Sequence, residues 1–133
     1  SQNYREMAGW FRENTDLEAT VAISDVGAFA YFSNRRVLDL FELVTRNHKR
    51  EKGHSRFGNR SEYILARDPD YIVLMMRRTG TGEKVFIRPG DSQMYNTPGF
   101  RAKYRIIRRI PQNWNHETAL IYARRGENAD TGH

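Results

Sequence analysis

Residues 71–76 read Tyr-Ile-Val-Leu-Met-Met, apolar at odd and even positions alike. Successive side chains of a strand point to opposite faces, so a run of this kind forms a strand only where both faces are covered. Residues 19–24 share that character, being rich in β-branched side chains up to the polar pair Ser24-Asp25, and residues 36–40 make another short strand. Segments of helical pattern lie around them. Tyr4, Met7, Ala8 and Phe11 recur at i, i+3, i+4, i+7 with Arg5, Glu6, Arg12 and Glu13 between, which predicts a helix over 3–14 with one buried face. Residues 26–32, with Gly27 near the start, predict a short helix or turn packed on the sheet. Ser61 can cap a helix running to Ala66, which must stop before Pro69 because the residue preceding a proline avoids helical geometry. Alternation of helix and buried strand predicts βαβ units, parallel pairing and right-handed crossovers.

The character changes after Gly80 and Gly82. A short piece over 84–87 and an irregular stretch to Gly99 precede two strands, 104–110 and 118–124, joined by a turn over 111–115. The last is apolar on both faces (Leu120 and Tyr122 on one, Ala119, Ile121 and Ala123 on the other) and belongs inside a sheet. The other intersperses arginines and suits an edge, where charge discourages unwanted pairing. The expected fold is α/β: a three-layer Rossmann-like sheet of parallel strands followed by a C-terminal antiparallel pair. It forms one domain over 1–133 with a disordered tail at 126–133, and the abrupt opening suggests a piece excised from a longer membrane protein.

Composition narrows the function classes. Without cysteine there are no disulfides and no thiolate metal sites, and no apolar run approaches the ~20 residues of a membrane-spanning helix. The formal net charge is +6, and the positive charge gathers in two places, 46–56 and 101–109. Such a balance suits nucleic acid, anionic lipid headgroups or a phosphate-bearing ligand.

Strand ends supply the first candidate site, since ligands of open α/β sheets bind at carboxyl rims. Asp25, followed by Gly27, sits just past the first strand, where it either meets a ligand or caps the next helix; Asp39 ends the second, and the two could form a carboxylate pair. Dinucleotide binding is not expected, because residues 24–29 carry one glycine where that fold needs three. The long basic loop over 45–60 supplies the second candidate, with Arg46, Lys49, Arg50, Lys52 and Arg56 as anion contacts or simply a solvated face. His48 and His54 lie in it without a carboxylate at ligand spacing, so no metal is expected. No nucleophile elbow and no phosphate loop occur, so the chain carries no self-sufficient catalytic motif.

Residues 4–15 (Tyr-Arg-Glu-Met-Ala-Gly-Trp-Phe-Arg-Glu-Asn-Thr), 19–28 (Ala-Thr-Val-Ala-Ile-Ser-Asp-Val-Gly-Ala), 31–33, 36–40 and 67–74 (Arg-Asp-Pro-Asp-Tyr-Ile-Val-Leu) together resemble the extracytoplasmic C-terminal domain of bacterial multi-spanning membrane glycosyltransferases. These are the enzymes that use polyprenyl-phosphate-linked sugars and are related to mannosyl- and arabinosyltransferases. The resemblance covers about residues 4–76 and implies a non-catalytic domain outside the membrane, next to the transmembrane portion of the same protein and to anionic lipid or lipid-linked sugar. It marks Asp25, Gly27, Tyr31 and Asp39 as candidates for an acceptor-facing or interdomain surface, with no cofactor and no catalytic residue in the chain. The basic loop departs from that pattern. Two rivals rest on other grounds: a basic nucleic-acid-binding domain, from the charge, and a degenerate nucleotide- or S-adenosylmethionine-using α/β enzyme, from three parallel strands closing on an antiparallel pair.

Overall fold

The computed structural model describes residues 5–24, 29–30, 33–40, 60–112 and 116–126. Helix α1 (Arg5–Asn14) buries Met7, Ala8 and Phe11, the face its periodicity marks out. Its carbonyl end is closed by Arg35, whose guanidinium donates to the backbone oxygens of Phe11 (3.1 Å), Arg12 (3.3 Å) and Thr15 (2.9 Å). Carbonyls at a helix end lack the full complement of helical partners, although that of Phe11 also accepts the Thr15 amide (3.1 Å) and hydroxyl (2.6 Å), and a cation there complements the helix dipole. Strands β1 (Thr20–Ile23) and β2 (Arg36–Asp39) follow, then α2 (Arg60–Ala66), β3 (Tyr71–Arg78), β4 (Lys84–Phe86), α3 (Pro89–Tyr95), α4 (Phe100–Lys103), β5 (Tyr104–Pro111) and β6 (Glu117–Arg124).

The strands form one six-stranded sheet in the order β2-β1-β3-β6-β5, with β4 pairing β3 off this path. β1 runs parallel to β2 and β3, whereas β3 with β4, β3 with β6, and β5 with β6 are antiparallel. This overturns the Rossmann-like three-layer expectation. β6 lies beside β3 at the centre, so the sheet beyond β3 is antiparallel. The physical reason is that apolar runs on both strand faces report burial and carry no information about direction. The 88–99 stretch, expected to be irregular, instead contains α3, which opens with a proline at its first turn.

Period-two alternation divides the core into two clusters, one on each face of the sheet. Val21, Ile23, Val73, Met75, Ala119 and Ile121 join Met7, Phe11 and Phe29 on the first face. Ala22, Ile72, Leu74, Leu120 and Tyr122 join Ile64, Met94 and Phe100 on the second. At the edge, β5 departs from this alternation. Ile106 pairs with Tyr122, but Arg108, not Ile107, pairs with Ile121, so the register shifts by one residue. That bulge puts Ile107 and Ile110 against the first-face cluster and turns Arg109, opposite Leu120, toward the second face.

The Asp68-Pro69-Asp70 segment joins the three central strands at their ends. The Asp70 amide donates to the Thr20 carbonyl (2.9 Å), and the Asp70 carbonyl accepts the Arg124 amide (3.0 Å). Its carboxylate accepts the Thr20 amide (2.9 Å) and an ion pair from Arg124 (2.9 Å). The Tyr104 hydroxyl donates to the Pro69 carbonyl. This segment thus acts as a clamp at the start of β3.

Candidate functional site

β1 has β2 on one side and β3 on the other, so the crevice expected to receive a ligand opens past the end of β1, toward β3. The described residues fill it from within. Backbone pairing between β1 and β3 covers Val21 with Tyr71 and Ala22 with Ile72 and then lapses. The Asp91 carboxylate takes over from there, accepting the Met75 amide (3.1 Å) and the Ser24 hydroxyl (2.8 Å). Gly90 lets α3 press this close, because a Cβ there would stand 3.3 Å from Leu40 Cβ and from Ser24 Oγ. Asp91 is fully buried, and burial lifts its carboxyl to about 6, with the Ser24 and Met75 hydrogen bonds and Arg88 opposing the rise. It is a structural tie between a helix and two strands. Asp39 ends β2 directly opposite Ile23 and is half-buried. Asp25, Gly27 and Tyr31 lie outside the described residues, as do the basic-loop positions Arg46, Lys49, Arg50, Lys52 and Arg56.

The larger concavity lies elsewhere, on the second face over β3, β6 and β5, walled by β4, α3 and α4. Its volume is about 760 Å³, within the range of sites that hold small organic ligands. Met76, Ile106 and Leu120 supply an apolar floor beside Phe86, Tyr95 and Tyr122. Lys84, Arg101, Arg105, Arg109 and Arg125 line it as well, and no carboxylate does among the described residues. Like charges gathered over a low-dielectric floor focus a positive field into the cleft.

Two of these cations are set by the fold. The Arg101 guanidinium lies 4.5 Å above the Tyr95 ring and donates to its hydroxyl at 3.1 Å. Stacking plus one hydrogen bond holds its planar fork in place and leaves donors to spare. Arg109 enters through the β5 bulge. Burial raises the Tyr122 phenol above its ordinary value and Tyr95 adds to the rise, while Arg109 and Arg101 both pull it down, so Tyr122 remains a neutral hydroxyl near two guanidiniums. The aromatic rings already engage one another, with Phe86 and Tyr95 centred 4.8 Å apart and Tyr104 stacked on Phe100.

Sequence reasoning noted the charge over 101–109 but placed its candidate sites at the strand rim and in the basic loop. The signal available was the pairing of arginines in 101–109 with tyrosines at 95, 104 and 122, which becomes a site only once β6 lies between β3 and β5.

Two further described hollows are shallower. Asp16, Glu18 and Asp70 surround a small acidic one, and Trp10 and Arg108 border one between α1 and β5. No group of three or more histidine or acidic residues suited to a metal occurs among the described residues, and no helix there is long and apolar enough to cross a membrane.

No curated protein and no solved structure matches the chain. Residues 1–131 match the model of a family described as a domain of unknown function (DUF8728), and the chain belongs to that family.

Proposed function

We propose that this chain is a non-catalytic accessory domain that holds an anionic ligand in the arginine-lined cleft. Following its resemblance, we read it as the extracytoplasmic part of a membrane glycosyltransferase using a lipid-linked sugar donor, where it shapes acceptor or interdomain contacts. The observation that carries the binding reading is the set of five cationic side chains around an apolar floor, with no carboxylate among the described lining residues. Guanidiniums and a phenol hydroxyl are hydrogen-bond donors suited to phosphate or carboxylate oxygens. The parentage rests on the wording of residues 4–76.

Two experiments test the two halves. Upstream coding sequence with a series of long apolar segments is expected, and a reading frame beginning near Ser1 overturns the membrane parentage. In the full-length protein, Arg101→Ala with Arg109→Ala should lower sugar transfer from the lipid-linked donor at unchanged protein level; unchanged transfer overturns the role of the cleft. Thermal-shift screening of this chain against nucleotides and S-adenosylmethionine tests the enzyme rival. A true ligand at 100 times its dissociation constant adds about 2.7 kcal/mol of stability.

A further inference from the structure

We propose that the cleft is a binding site for a phosphate group carried on a hydrocarbon body, with Arg101 and Arg109 holding the phosphate and Met76, Ile106 and Leu120 receiving the hydrocarbon. This rests on reading the cleft as an anion site and is independent of the parentage of the chain.

The β5 bulge is the first support. In an unbroken strand Arg109 would share a face with Ile107, and Ile110 would share one with Ile106. The extra residue reverses both, sending Ile110 into the first-face core and Arg109 into the cleft. Charge that served only to discourage edge pairing would need no such aim. The second support is Arg101, already braced on Tyr95, so little side-chain freedom is lost when its fork meets phosphate oxygens. Arg101, Arg109 and the neutral Tyr122 phenol line the same cleft. A bare phosphate would engage these groups and leave the apolar floor wet. An amphiphilic phosphate covers both, since each methylene buried on the floor adds to its affinity. The rings are engaged with one another and with Arg101, which disfavours base stacking and hence single-stranded nucleic acid.

Titration calorimetry of this chain with octyl phosphate, inorganic phosphate and octyl glucoside at moderate salt tests the assignment. Octyl phosphate should bind at least tenfold more tightly than inorganic phosphate, and octyl glucoside should not bind over the same range. Arg109→Ala should weaken octyl phosphate at least tenfold. Arg108→Ala removes the same charge one residue away on the other face of the sheet and should stay within twofold. Both side chains are exposed, so both variants should unfold at temperatures near that of the parent. Equal weakening by the two substitutions overturns the site in favour of net charge. Equal affinity for the two phosphates overturns the amphiphile while the anion-binding reading stands. No binding of either phosphate sinks both, and a short oligonucleotide that displaces octyl phosphate with higher affinity overturns the assignment in favour of nucleic acid.

Discussion

Asp91 shows how one side chain can substitute for a strand. β1 ends at Ile23 while β3 continues to Arg78, and the carboxylate accepts the Met75 amide that β1 no longer reaches. Burial raises its proton affinity above the ordinary value of 3.8 to about 6, so between those pH values the folded chain binds more protons than the unfolded one. Stability contributed by this group is therefore fully present below about pH 4 and falls as pH rises toward 6, by roughly 3 kcal/mol in all. Asp91→Asn should flatten that slope, because an amide can accept from Met75 through its oxygen and donate to Ser24 through its nitrogen. Urea midpoints at pH 4.5 and 7 check this, and an unchanged slope would assign the titration to another group. Asp91→Ala leaves a buried amide and a hydroxyl without their acceptor and should cost about 1–3 kcal/mol for each. Asp91 went unnoticed in the sequence because Arg-Pro-Gly-Asp reads as a loop. The pattern does fit a helix start, with proline at the first position and an acid in the first turn, but a glycine between them weakens it. Burial of Gly90, Asp91 and Met94 is what stabilises so short a helix.

Among the elements, α1 and β5 were legible to different depths. The helix announces itself through Met7, Ala8 and Phe11, whereas nothing in its own sequence names Arg35 as the group that closes its end. Arg35→Ala should destabilise the protein by about 2 kcal/mol and speed amide exchange in the last turn of α1, since hydrogen bonds from a charged donor are lost. Arg35→Lys should recover little of this, because one ammonium cannot serve at once the Thr15 hydroxyl bonded by Nε, the Ser33 and Asn34 carbonyls bonded by Nη1 and the helix-end carbonyls bonded by Nη2. β5 was legible as an edge strand from its arginines, and it lies at the edge. Its bulge was not legible, because Ile106, Ile107 and Ile110 satisfy either register until the two core clusters exist to receive them. Deleting Ile107 should return β5 to strict alternation while Arg108, Arg109 and Ile110 keep their places opposite Ile121, Leu120 and Ala119, so that Arg109 stays in the cleft and only the Ile107 contact with the first-face core is lost. A modest loss of stability with octyl phosphate binding retained is expected, read by chemical denaturation and calorimetry; loss of binding would mean that the pairing of Arg109 with Leu120 does not by itself hold Arg109 in the cleft.

Across the whole molecule, the last described strand is also a central one. β6 pairs with β3 over seven positions from Tyr71 to Arg77 and carries β5 on its other edge. A chain ending at His116 would leave β3 and β5 without their shared partner, remove Ala119 and Ile121 from the first-face core and Leu120 and Tyr122 from the second, and expose the residues that pack on them. Such a truncation should be unfolded by circular dichroism and proteolysis, whereas cooperative unfolding would show that the N-terminal strands and helices suffice. The sequence by itself determined which runs are strands buried on both faces and which helix face is apolar, because side-chain periodicity is a local property of the backbone. Strand order, direction and the bulge depended on residues far apart in the chain, so only the tertiary structure decided that the centre would be antiparallel, that Asp91 would close the strand rim, and that arginines from β5 and α4 would face one cleft. Local pattern reports whether a side chain is covered; what covers it is settled by long-range packing.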